Sequence, residues 1–585
     1  MKEHAANELR LVGLGVSPGI ARGPLLLGED LFEAPEVQSI EPSEIEDELA
    51  ALEQGLNLTR SQLEALREQI DQQVGSEHAS IFDAHLLMLE DEALLKEVRT
   101  RIRETPETAE GAFYSVMSRY VQMLRKIKDD YLRERTLDIE DVARRVVRNL
   151  TGQDHLAAHD RPHILLVHEL TPSIAGSVDR TKVLGLVTEA GSHTSHGAIL
   201  ARSMGIPTVV GLHDICERLH SGGDGLVDGY NGLFILNPSE ETLASYEVTR
   251  RQKYALDLHL AAMRDEPAVT RDGHRILLSA NIEFAHEMEH VNTVGAQGVG
   301  LYRTEFFYLN RLTLPTEEEQ AENYAKVAAA AGPQGVIIRT LDIGGDKLHP
   351  LHSGQTESNP FLGWRGIRVS LTEHGLFKTQ LRAILRASVH GKIRIMFPMI
   401  SGIAELRAAR RLLEDCELEL IAERIPFDRK LEIGCMIEVP SAAVMADSLA
   451  REVDFFSIGT NDLIQYTIAV DRGNERVASL YQPCHPALIR LMKGVATASH
   501  QHGIWTGVCG EMAGDIRLTP LLIGLGIEEL SVAPVQIPSV KYAIRKLDAA
   551  HCHAMVEDCL RHGETERITQ RVHATAMQFY PELLA

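Results

Sequence analysis

Gly335-Val336-Ile337-Ile338-Arg339-Thr340-Leu341-Asp342-Ile343 is a short apolar run that ends in an arginine and an aspartate. Three β-branched residues behind a glycine read as a strand. The same texture recurs at 275–282 (RILLSANI), 298–306 (GVGLYRTEF), 392–400 (KIRIMFPMI), 432–440 (EIGCMIEVP), 454–463 (DFFSIGTNDL), 505–511 (WTGVCGE) and 528–534 (EELSVAP). Helical stretches separate the runs. Eight such units after Pro267 are the count of a (β/α)8 TIM barrel, expected over 267–585. Polar residues gather where the runs end: Arg303 and Glu305, Arg339 and Asp342, Glu438, Asn461 and Asp462, Cys509 and Glu511. Barrels carry their active sites at that rim. Scattered core polar residues would not all choose one end.

Upstream, residues 239–266 are charged and helical, which predicts a semi-rigid helical linker. Before it, HILLVHEL, VLGLVTEA, TVVGL and GLVDGYNGLFIL are short apolar runs broken by Gly, Asp and Pro. With the strand-like Leu11–Gly28 they predict one α/β domain built from 1–41 and 151–238. The segment 42–150 would then be a helical bundle inserted into it. Ser43-Glu44-Ile45-Glu46 offers a capping box after Pro42. Ile45, Leu49, Leu52, Leu56, Leu63, Leu66 and Ile70 follow in a 4-3 spacing with one miss, at Thr59. That is the seam of a long helix packed on another. The pattern fits a structural arm or a surface that docks a partner protein.

The 585 residues exceed one ordinary core, and about two to four domains are expected. A net charge of −24 argues against nonspecific nucleic-acid binding. It leaves room for an anionic substrate held by a local group of arginines. No apolar run is long enough to span a membrane, and MKEHAANELR lacks a signal-peptide core. Seven scattered cysteines fit reduced thiols in the cytoplasm better than a disulfide framework.

Chemistry concentrates in two places. In Gly191-Ser192-His193-Thr194-Ser195-His196-Gly197 a glycine turn meets hydroxyl residues and then a helical stretch. Thr194 or Ser195 suits the N-cap, which puts His196 in the first helical turn. A phosphoryl group on its imidazole would lie near unpaired N–H groups and the positive end of the helix dipole. A neutral imidazole is nucleophilic without a separate base. Taken alone, the segment reads equally as a histidine satisfied at a helix start, and His193 is the rival nucleophile. In the barrel, Arg303 and Arg339, with Arg365, are candidates to converge on an anion, for which guanidinium groups offer bidentate binding; one arginine at a strand end is usually a surface salt bridge, but two at neighbouring ends are harder to dismiss. Arg472 follows the sixth run and can close from a loop. Glu438 and Asp462 end consecutive runs and suit Mg²⁺, while Asn461 adds a neutral donor. The alternative for this pair is an ordinary salt bridge to nearby arginines. Cys509 is either a small core residue or a proton donor to carbon. His551-Cys552-His553 lacks further ligands at zinc spacing and is set aside.

Taken together, TSHGAILAR, GVGLYRTEFF, LPTEEEQ, RTLDIGGDK, NPFLGWRGIR, FFSIGTNDLIQYTIAVDRGN and GVCGEMAGD resemble the Enzyme I family of the phosphoenolpyruvate:sugar phosphotransferase system. The resemblance spans nearly the whole chain. It implies a swivelling α/β phosphohistidine domain, the helical insertion as docking surface for the histidine phosphocarrier HPr (with His85 inside that surface), and a barrel that binds phosphoenolpyruvate and dimerises. It implies that His196 is the phosphohistidine, Arg303 and Arg339 bind phosphate, and Glu438 and Asp462 hold Mg²⁺. Asn461 and Arg472 would make further substrate contacts, and Cys509 would be the proton donor. One departure is visible: the family commonly has Gly-Gly-Arg before Thr-Ser-His, where this chain has Gly191-Ser192-His193. The alternatives are a nitrogen-type or regulatory donor of the same system, or an enzyme like pyruvate phosphate dikinase or phosphoenolpyruvate synthase. The latter need an ATP-grasp domain, for which no segment here is long enough. The expected absence of a sensory GAF-like segment before the core leans towards the sugar type.

Overall fold

The computed structural model describes residues 8–584 except 29–34, 36–37, 75–81, 83–84, 87, 126–129, 153–160, 172–173, 175–177, 180, 192–200, 202–203, 213–214, 216–222, 309–312, 345–358, 472–473 and 475. They fall into two compact units, Met1–Lys253 and Tyr254–Ala585.

The first unit holds an eight-stranded mixed sheet: β1 (Leu9–Val12), β2 (Leu14–Ser17), β3 (Ile20–Leu27), β4 (His163–Val167), β5 (Val183–Thr188), β6 (Thr208–Val210), β7 (Asp224–Asp228) and β8 (Leu233–Leu236). Their spatial order is β1-β8-β7-β3-β4-β5-β6-β2. The inner four, β3 to β6, run parallel, and antiparallel strands flank them on both sides. Strand β4 is buried on both faces, which is why HILLV reads as a continuous apolar run. Ile164 and Leu166 join Val187, Val209 and Phe234 in one cluster. Leu165 and Val167 join a cluster built mostly from helices.

Those helices lie between β3 and β4 in sequence: α1 (Ile45–Val74), α2 (Glu92–Glu104), α3 (Ala109–Arg125) and α4 (Asp130–Thr151). Along α1 the seam residues Leu52, Leu56, Leu63 and Leu66 are buried. The miss at Thr59 is buried as well. Its hydroxyl donates to the Gly55 carbonyl (2.8 Å) and accepts from Asn149 Nδ2 (2.8 Å), so a polar seam position is satisfied across to α4. The start of α1 differs from the expected box. The Glu41 N–H donates to the Glu44 carboxylate at 2.8 Å, three residues on, with Pro42 between them. Proline lacks the N–H that a helix start leaves unpaired, so the first turn begins there. Asp91 caps α2 by accepting from the N–H groups of Ala93 and Leu94. Helix α5 (Glu240–Ala262) follows β8 and contains the point where the units divide.

The second unit is a closed, all-parallel barrel of β9 (Leu277–Ile282), β10 (Val299–Arg303), β11 (Val336–Arg339), β12 (Ile393–Phe397), β13 (Glu432–Ile437), β14 (Phe455–Ile458), β15 (Trp505–Val508) and β16 (Glu529–Val532). Each of the eight expected runs supplies one strand. Leu301, Ile337, Met396, Met436, Phe455 and Cys509 form a small cluster of their own. The other faces of these strands pack on the surrounding helices in one large core. Parallel closure puts every strand's C-terminal end at the same rim. No described helix is long and apolar enough to cross a membrane.

Candidate active site

Arg303 and Arg339 end β10 and β11 and are register partners, so their guanidinium groups leave the barrel side by side. They line a cavity of about 580 Å³ together with Glu305, Asp342, Arg365, Glu438, Asn461, Asp462 and Cys509. Of the expected site residues, only His196 and Arg472 lie outside the described positions. Ser192, His193, Thr194 and Ser195 lie outside them too. The described chain reaches Gly191 after β5 and resumes at Ala201, which is helical and buried.

Each arginine of the cavity is held by a carboxylate. Arg303 pairs with Glu283 at 2.7 Å. Arg339 pairs with Glu305 at 2.6 Å and with Asp342 at 3.1 Å. Arg365 reaches Asp342 at 3.0 Å and Asp462 at 3.4 Å. The Arg365 backbone makes an isolated bridge with Gly344, and its Nη1 donates to the Tyr466 hydroxyl at 3.4 Å. Burial opposes the charge on Arg339, but Glu305 and Asp342 outweigh it and lift its pKa above the ordinary value. Arg365 is raised likewise: burial opposes, and Asp342 and Asp462 prevail. Both cations stay charged at any accessible pH. Arg339 Nε and Glu305 Oε2 are buried without a hydrogen-bond partner among the described residues. The Arg339 Nε–H is a donor that a bound anion can satisfy, and the Glu305 oxygen is an acceptor that a water molecule can satisfy.

Asp342, Glu438 and Asp462 each offer a carboxylate oxygen, and these oxygens lie within 4.8 Å of one another. Glu438 is fully buried, and burial followed by the charges of Asp342 and Asp462 pushes its carboxyl well above the usual range. A divalent cation relieves that repulsion, and all-oxygen ligands suit a hard ion such as Mg²⁺. The donor set therefore fits the expected metal. Glu438 Oε1 also accepts from the N–H of Met399 at 2.5 Å, and Met399 lies at φ 55°. A left-handed non-glycine residue costs about 1–3 kcal/mol, so the surroundings impose it.

Asn461 is fixed from the next rim loop. Its Oδ1 accepts from the Glu511 N–H (2.9 Å), and its Nδ2 donates to the Glu511 carboxylate (3.2 Å). The second Nδ2 hydrogen remains for a ligand. Gly510 makes this approach possible, because a Cβ there would lie 2.0 Å from Thr460 Oγ1. Burial pushes the Cys509 thiol up to about 11, with the Ser457 hydroxyl, hydrogen-bonded to it, pulling the other way. The thiol is thus protonated near neutral pH, which suits an acid and not a nucleophile.

Sequence reasoning put Asp342, Glu305 and Glu283 near the rim or passed over them, and gave none of them a role. The signal for Asp342 was its spacing, three residues after Arg339 on the same strand end. Glu283 follows β9, a run whose polar end was not singled out.

Three family models match the chain: the PEP-utilising enzyme N-terminal region at 12–135, its mobile domain at 159–232 and its PEP-binding domain at 258–549. The chain is 41% identical to the phosphoenolpyruvate-protein phosphotransferase of Listeria monocytogenes, over 97% of this chain and 99% of that one. It is 40% identical to the protein of the same description from Haemophilus influenzae, over 96% and 98%. A solution structure of an Enzyme I protein is 33% identical over 42% of this chain and 99% of its own, with a TM-score of 0.36.

Proposed function

The chain belongs to the phosphoenolpyruvate-protein phosphotransferase family, and we propose that His196 is the residue that takes the phosphoryl group. The enzyme moves that group from phosphoenolpyruvate to protein. One observation carries the reading of the barrel as the phosphoenolpyruvate site: three arginines, five carboxylates and a protonated thiol share one cavity, which includes the groups that phosphoenolpyruvate requires.

In this reading Arg303, Arg339 and Arg365 grip the substrate's phosphate and carboxylate, with Asn461 and Arg472 as further contacts. Glu438 and Asp462, beside Asp342, hold Mg²⁺, which when bound neutralises charge on the departing phosphoryl group. An imidazole nitrogen of His196 attacks phosphorus, and the bond from phosphorus to the enol oxygen breaks. The enolate left behind takes a proton at C3 from the Cys509 thiol and becomes pyruvate. The thiolate recovers its proton from solvent. Phosphohistidine then passes the group to the histidine of an HPr-like carrier docked on the helical insertion 42–150. The domain division is 1–41 with 151–238, 42–150, 239–266 and 267–585. The resemblance to Enzyme I supports the carrier, a homodimer formed through the barrel, a cytoplasmic setting and the sugar-uptake branch of the pathway.

The test is transfer of label from ³²P-phosphoenolpyruvate to the purified protein without nucleotide. Label is expected on wild type and absent from His196→Ala. Label that appears only with ATP overturns the reading in favour of a dikinase-like enzyme. Label retained by His196→Ala moves the role to His193.

A further inference from the structure

Cys509 sits just past the end of β15, and two walls of the barrel hold it. On the β14 side its N–H donates to the Ile458 carbonyl at 3.1 Å, and its Sγ faces the same carbonyl at 3.7 Å. On the other side the contact comes from Asn281, in β9, a strand that does not neighbour β15. Asn281 Nδ2 donates to the Cys509 carbonyl at 3.2 Å and to the Ser531 carbonyl at 3.1 Å. Its Oδ1 accepts from the Ser531 hydroxyl at 2.6 Å. The amide thus spans β16 to reach the end of β15, and the Ser531 hydroxyl settles which way the amide points. Asn281 does not line the cavity, whereas Cys509 does. Anything Asn281 does for the reaction it does through Cys509.

We propose that Asn281, oriented by Ser531, is a positioning residue that aims the Cys509 thiol at one face of the enolate. The proposal rests on the reading of Cys509 as proton donor. The C3 carbon of enolpyruvate is planar. When the S–H bond breaks and the C3–H bond forms, the C2–C3 π pair becomes the new bond and the C2 oxygen becomes a carbonyl. A thiol fixed within a few tenths of an ångström delivers its proton to a single face. A thiol shifted by about 1 Å loses on the order of a hundredfold in rate, and water then competes from either side. Phosphoryl transfer to histidine precedes this step and does not use the thiol.

The experiment uses full-length enzyme and phosphoenolpyruvate stereospecifically labelled at C3, turned over in isotopically distinct water. The methyl group of the pyruvate is then read for configuration. Wild type is expected to give one configuration. Asn281→Ala and Asn281→Asp, the second nearly isosteric but without the donor, are expected to fall towards a 1:1 mixture. Single-turnover labelling of the histidine should stay within about twofold of wild type. Ser531→Ala, which removes only the orienting contact, should fall between. Wild-type selectivity in both Asn281 variants overturns the proposal. So does a parallel loss of histidine labelling, because that marks general damage to the cavity. Cys509→Ala separates the two claims: if it keeps selectivity, the donor is another group and the underlying reading fails. If Cys509→Ala loses selectivity and the Asn281 variants keep it, only the positioning role fails.

Discussion

The molecule contains two eight-stranded sheets that arrange chemistry in opposite ways. In the barrel every strand is parallel to its neighbours, so residues as far apart in sequence as Glu283 and Cys509 meet at one rim. In the mixed sheet only β3 to β6 are parallel, and the strand ends point both ways. There the proposed phosphoryl acceptor, His196, belongs to one short segment that follows β5 in sequence. One site is distributed over many loops, and the other, as proposed, rests on one residue. A distributed site degrades by degrees, while a single-residue site fails outright.

That contrast can be broken most sharply at His196. His196→Ala is expected to abolish labelling by phosphoenolpyruvate completely while leaving calorimetric binding of phosphoenolpyruvate to the barrel unchanged. A parallel loss of binding would show that the two sites are not independent. Next in size is Arg339→Ala, which strands Glu305 as a buried, uncompensated carboxylate and leaves Asp342 with Arg365 as its one cation. Breaking a buried pair from one side costs about 3–5 kcal/mol. We expect kcat/KM to fall by about a hundredfold or more and the urea midpoint to drop as well. Gly510→Ala should be milder. Its Cβ would meet Thr460 Oγ1 at 2.0 Å and the Thr460 amide at 2.8 Å, so the Asn461 turn must shift. Overpacking of about 1–3 kcal/mol predicts about a tenfold rise in KM with histidine labelling still detectable.

The smallest effect tests the barrel away from its rim. Burial acts to raise the Asp272 carboxyl, but hydrogen bonds from Thr270 and the N–H groups of Ala549 and Ala550 overrule it and hold it at about 2. A depressed carboxyl stabilises the fold fully above its ordinary pKa and loses that contribution as pH falls through the folded value. Asp272→Asn should therefore melt below wild type at neutral pH, with the difference closing as pH falls from 4 towards 2. Thermal scans across that window check it.

The barrel was legible because its signal is local: each run carries its own apolar stretch and its own polar end. Gly335–Ile343 contains both, and the structure puts its strand at Val336–Arg339 with Asp342 on the rim. The α1 seam was legible for the same reason. Thr59 looked like a gap because a threonine that satisfies its hydroxyl across to Asn149 has no apolar signature. The order of the mixed sheet was not legible. Pairing of Leu9–Val12 with Leu233–Leu236 joins the two ends of a 250-residue unit and is decided by packing, with no local mark. The carboxylate tethers of the arginines were missed on similar grounds. Glu283 and Arg303 are twenty residues apart, and their pairing exists only once β9 and β10 are neighbours. Asn281 was hidden more deeply, inside an apolar run that ended without a marked polar residue.

The helical bundle enters after β3 and leaves before β4, and those strands are hydrogen-bonded neighbours with Leu27 opposite Leu166. Because the two strands are parallel, the bundle is entered at the C-terminal end of β3 and left at the N-terminal start of β4, His163, three residues before the partner of Leu27; the sheet thus fixes the two attachment points with an offset of about 10 Å along the strands. Such a crossover is a socket for module exchange: a domain whose ends span that offset fits between β3 and β4 while the sheet keeps its pairing. The condition is set by β4 and β5, since any replacement must cover Leu165, Val167 and Leu186, which now share a core with the helices. Under the docking role proposed for 42–150, acceptor choice then sits in a segment separate from the PEP-binding domain at 258–549.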